Sequence, residues 1–92
     1  MEIEKLISAL EEVLALLRSS ESSDYSHMSV GQIIKKIELE MARIKISEPV
    51  DTELLSLLFA PTGAIQETAI DNGWGEEFLR ISEFVDHLIV DR

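Results

Sequence analysis

Two histidines, eighteen carboxylates and a run of serines are the groups of this chain best suited to chemistry. Their spacing decides what each can do. His27 and His87 are far apart in sequence, and neither has a second histidine one helical turn away to share a metal. Asp86, His87 and Asp91 are close neighbours, but adjacent residues on a helix point in different directions. No metal site is expected. Asp71-Asn72-Gly73 is similar to a fragment of a calcium loop. With Gly73 at the loop's sixth position, Thr68, Ile70 and Leu79 fall at ligand positions one, three and twelve, where they are the wrong ligands. Ala60-Pro-Thr-Gly-Ala64 lacks the Gly-Lys-Ser/Thr ending of a phosphate loop, and no strand precedes it. A helix start at Thr62-Gly63-Ala64 would offer N–H groups to an anion, as every helix start does, but the nearby acids oppose such a guest. Asp24, Ser26 and His27 lie together in a serine-rich stretch, which is a solvation signal before it is a catalytic one. No buried pair of carboxylates stands out within the apolar stripes. The chain is therefore read as a non-enzyme, with no catalytic residue and no cofactor.

What remains is a corner. Residues 58–75 hold three of the four glycines, one of the two prolines and the only tryptophan. Thr62, Gln66, Asn72, Trp74, Glu76 and Glu77 form the candidate interaction patch. Thr62 and Gln66 are i,i+4 neighbours on one helix face, and tryptophan is a favoured interface anchor. The competing role is structural. Thr62 would cap a helix, the amides would bond the corner, and a core Trp74 would donate its indole N–H to a carbonyl.

The elements that position this corner are helical. Ile3, Leu6, Ile7, Leu10, Val13, Leu14 and Leu17 predict a helix over residues 2–19, with Leu16 toward the edge of the stripe. A polar loop over 19–29 follows, anchored by Tyr25 and Met28. Ser29 and Gln32 form a capping box for a second helix over 30–46. Val30, Ile33, Ile34, Ile37, Met41 and Ile44 face inward there, and Leu39 and Ile46 lie on another side. Glu38 and Glu40 are expected in weak surface pairs with the lysines and arginine of this helix. Pro49 ends it. Asp51 caps a short helix over 52–59 that is apolar on most sides, hence expected to be central and largely buried. After Pro61 a helix over 63–72 uses Ile65, Ala69 and Ile70. Asn72-Gly73 stops it, with Gly73 in the left-handed position and Trp74 packing back. A last helix over 76–90 buries Phe78, Ile81, Phe84, Val85, Leu88 and Ile89. The fold class is all-α: one domain over residues 1–92, five helices, three long and two short, around an aliphatic core.

Charge narrows the partners. The net charge is −10: residues 1–46 carry eight acids and six bases, and residues 47–92 carry ten acids and two bases. Such a surface repels nucleic acid and anionic membranes, so neither is an expected partner. A basic protein is the electrostatically favoured guest, although negative charge also serves solubility. No stretch approaches the length of a membrane span, the opening Met1-Glu-Ile-Glu-Lys5 is acidic where a secretory leader is basic, and there is no cysteine. A cytoplasmic setting is expected.

The run Ala60-Pro-Thr-Gly-Ala-Ile-Gln-Glu-Thr-Ala-Ile-Asp-Asn-Gly-Trp-Gly-Glu-Glu-Phe-Leu79, about a fifth of the chain, looks like a pattern of small, uncharacterised bacterial helical proteins to which no activity attaches. In size, acidity and helical content the chain is also similar to bacteriocin immunity proteins, which bind basic nuclease toxins. The Tyr-Tyr-Pro segment of nuclease-colicin immunity proteins has no match here, so that resemblance implies no site residues.

These readings converge on a protein–protein interaction module that buries an apolar patch bordered by acids. Self-association is its simplest form, because Leu16, Leu39, Ile46 and Val90 lie off the main stripes and a symmetric homodimer would bury them. Completion of an ordinary core is the plain alternative. Inhibition of a basic protein, in the manner of an immunity protein or antitoxin, is the second reading. A small ligand-binding protein or enzyme using the Thr62–Trp74 corner is the third.

Overall fold

The computed structural model describes residues 3–21, 28–60 and 63–90, with only the backbone of Val90. Five helices follow one another: α1 (Ile3–Arg18), α2 (Val30–Lys45), α3 (Thr52–Leu58), α4 (Ala64–Asp71) and α5 (Gly75–Val90). No strand occurs among the described residues. The molecule is an all-α bundle measuring 35 × 21 × 20 Å. Packing runs α2–α1–α5–α4 and closes from α4 back to α2, without substantial packing of α2 on α5. One apolar cluster draws side chains from all five helices, including Leu6, Leu10, Ile33, Ile37, Leu55, Ile65, Ile81 and Val85. Phe59, just past α3, stacks on Phe78 of α5 with ring centroids 6.2 Å apart.

The helix starts follow their expected chemistry. Ser29 Oγ accepts from Gln32 N–H, and Gln32 Oε1 accepts from Ser29 N–H, so the capping box on α2 is complete. Asp51 Oδ1 accepts from Leu54 N–H at 2.9 Å and caps α3. α4 differs. Its N-cap is Gly63, without a side-chain cap bond, and Thr62, the expected cap, lies outside the described residues. Glycine at this position has a steric reason: a β-carbon there would stand 2.9 Å from the carbonyl oxygens of both Ala60 and Leu57.

Two of the helix stops, those of α4 and α2, share one motif. Gly73 takes φ +82°, its N–H reaches Ile70 O, and Trp74 N–H reaches back to Ala69 O at 2.9 Å. These are the paired bonds that close a helix through a left-handed residue. α2 ends the same way without a glycine. Ser47 takes φ 63°, its N–H bonds Ile44 O, and Glu48 N–H bonds Arg43 O. The stop therefore lies at Ser47, two residues before Pro49.

Three expected burials and one expected exposure are corrected. Leu57 on α3 is 69% exposed, because α3 packs only Leu55 and Leu58 fully inward. Ile70 on α4 is 57% exposed, and Thr68 takes the inner position with its hydroxyl bonded to Ala64 O. Phe84 on α5 is 41% exposed, at the shoulder of the helix beside α1. Glu40, expected at the surface, is fully buried.

Candidate interaction surfaces

Trp74 and Asn72 direct their polar groups to the end of α1. Trp74 is buried, and its indole N–H donates to Ser20 Oγ at 2.8 Å, a hydroxyl where a carbonyl was expected. Ser20 Oγ in turn donates to Leu16 O. Asn72 Nδ2 donates to Glu21 O and to Thr68 O, each at 2.8 Å, while its Oδ1 accepts from Glu21 N–H at 2.9 Å. The corner thereby stitches the end of α1 to the end of α4. Gln66 is half-buried on α4, and Glu76 and Glu77 are exposed in the first turn of α5. Thr62 lies outside the described residues, so the Thr62–Gln66 pairing lies outside them too.

Glu40 is the buried charged residue that sequence reasoning missed, beside the smaller hydroxyls of Thr68 and Ser82. One carboxylate oxygen accepts from Asp51 N–H at 3.0 Å, which ties α2 to the start of α3. The other lies 3.3 Å from Arg43 Nη1 without hydrogen-bond geometry. A signal was present. Glu40 sits seven residues after Ile33, three after Ile37 and four before Ile44, within the inner stripe of α2.

A groove of about 460 Å³ runs between α1 and α5. Ala9 and Ile81 line it with Phe84, and Lys5, Glu12, Arg80 and Glu83 border it. Arg80 donates to Glu12 there, so two of its charges answer each other. Among the described residues, no three histidine or carboxylate groups converge as metal ligands would, and no helix is long and apolar enough to cross a membrane.

The outer face of α2 is different in kind. Lys35, Leu39, Ala42 and Ile46 recur at i, i+4, i+7 and i+11, all exposed and turned away from the core. Leu39 is 53% and Ile46 67% exposed. Lys36 and Lys45 are exposed nearby. Leu16, the third surplus residue, is half-buried against the core, and the side chain of Val90 lies outside the described set.

No family model, curated protein or solved structure matches the chain significantly.

Proposed function

We propose that this chain is a non-enzymatic, cytosolic interaction module whose action is burial of an exposed apolar patch against a protein partner, most simply another copy of itself. The observation that carries this reading is the stripe on α2. Two large aliphatic side chains stand one above the other, both more than half exposed, on a helix whose opposite face already fills the core. Scattered apolar residues are ordinary on a surface. Two in register on one helix face form the kind of seam that pairs helices. Sedimentation over a concentration series tests it. The mass should rise with concentration, and Leu39→Glu with Ile46→Glu should hold the chain monomeric while its circular dichroism stays helical. A wild-type chain that is monomeric from micromolar to millimolar concentration would remove self-association.

A second reading has its own support. Glu76, Glu77, Glu83 and Asp86 are all exposed on α5, an arrangement suited to steering a basic protein onto that helix, as an inhibitor of a basic toxin would require. Such a complex would form more slowly as salt rises. Neutralising these four acids would abolish that salt dependence; an unchanged rate and salt slope would rule this reading out.

A further inference from the structure

Two exposed surfaces of this chain complement each other in charge and in apolar content. The first is the α2 stripe, with Leu39 and Ile46 flanked by Lys35 and Lys36. The second is the α4–α5 seam. There the Gly75 backbone lies against Ile70, close enough that a β-carbon on it would stand 3.6 Å from Ile70 Cγ1. Leu79 follows Gly75 by one turn on the same edge of α5, Asp86 continues that edge at i+7 from Leu79, and Glu83, at i+4, stands on the outer crest of the helix, where it also borders the groove toward α1. Ile70 and Leu79 are 57% and 51% exposed. α4 carries no base, and the arginine of α5, Arg80, is turned to Glu12 of α1. The seam is thus an apolar pair bordered by acids, and the stripe is an apolar pair bordered by lysines, with its one neighbouring acid on α2, Glu38, held by Arg18 of α1.

We infer that the α2 stripe of one copy docks on the α4–α5 seam of a second copy, head to tail. This inference rests on the self-association reading and specifies its geometry. The net charge of −10 makes two copies repel at long range, so association must use a contact where the local signs are opposite. The lysines of α2 against Glu83 and Asp86 supply that contact. An isologous α2–α2 contact would set lysines against lysines, and a seam–seam contact would set acids against acids. The bundle geometry decides closure. α2 and α5 do not pack substantially on each other, and in this arrangement the stripe and the seam face different ways, so that one pair of copies does not engage both reciprocally about a two-fold axis. Docking leaves one copy with a free seam and the other with a free stripe, and association continues past the dimer into a ring or a filament.

Charge reversal tests both the surfaces and their pairing. One variant carries Lys35→Glu with Lys36→Glu, and the other carries Glu83→Lys with Asp86→Lys. All four residues are exposed, and circular dichroism verifies that the helices persist. In sedimentation at low salt, the wild-type mass should pass that of a dimer as concentration rises. Each variant alone should remain monomeric, because its contact sets like charges together. An equimolar mixture should recover the wild-type mass, since reversed stripe meets reversed seam and native stripe meets native seam. A wild-type mass that stops at the dimer, variants that associate as the wild type does, or a mixture that stays monomeric would each overturn the head-to-tail contact while leaving self-association standing. A wild-type chain that never associates would overturn both.

Discussion

Glu40 is a carboxylate without solvent exposure, bound by one backbone N–H and flanked by a guanidinium that is itself partly in water. Its shape and acceptor matter more to the fold than its charge. Glu40→Ala should lower stability, since it leaves the Asp51 N–H unpaired in a part-buried site at a cost of about 1–3 kcal/mol. Glu40→Gln keeps an acceptor for that N–H and removes a buried charge, so its cost should be below about 1 kcal/mol, Arg43 being free to turn to water. Urea titration of the two variants checks the order, and equal losses would show that the charge itself is needed. Trp74 is the second residue of this kind. Trp74→Ala should cost about 3–5 kcal/mol, as removal of a buried aromatic does. Trp74→Phe should cost less, losing chiefly the bond to Ser20. A shift of only a degree or two in the Tm of Trp74→Ala would contradict the burial of the ring.

Among the elements, the two left-handed helix stops differ in how well their residues suit them. Gly73 adopts φ +82° with nothing within 4 Å of where a β-carbon would stand, so Gly73→Ala meets conformational strain alone, about 1–2 kcal/mol. Ser47 already bears that strain at φ 63°. Ser47→Gly should therefore raise stability by about 1 kcal/mol, with thermal unfolding as the check. Periodicity and capping chemistry made the five helices legible in the sequence, and Asn72-Gly73-Trp74 made one stop legible. Ser47 was hidden because serine does not mark a left-handed position as glycine does. Leu57, Ile70 and Phe84 were misjudged for another reason. A wheel shows which residues share a face, but how much of that face a neighbouring helix covers depends on packing that no single helix encodes. Of the candidate site, the corner was legible as a structural knot. The bonds from Asn72 and Trp74 to Ser20 and Glu21 cross more than fifty residues, so local pattern did not carry them.

At the scale of the whole molecule, eighteen acids against eight bases set the balance. The exposed pairs Arg18–Glu38 and Arg80–Glu12 offset little of that excess. Mutual repulsion among the surplus acids opposes compaction, and salt screens it over a Debye length of about 10 Å at 0.1 M. Tm at neutral pH should therefore climb as sodium chloride is raised from low to physiological strength; a fall would mean that attractive pairs dominate the surface. The Asn72 stitch also bears on the order of folding. It joins positions 51 residues apart, so the end of α1 cannot be secured until α4 has formed and been brought to it. The Glu21 amide bonds a side chain and lies beyond the ladder of α1. In hydrogen exchange by NMR its proton should trade with solvent at the rate at which the corner opens, making one amide a clock for that motion. Asn72→Ala should collapse its protection while amides at the centre of α1 keep theirs.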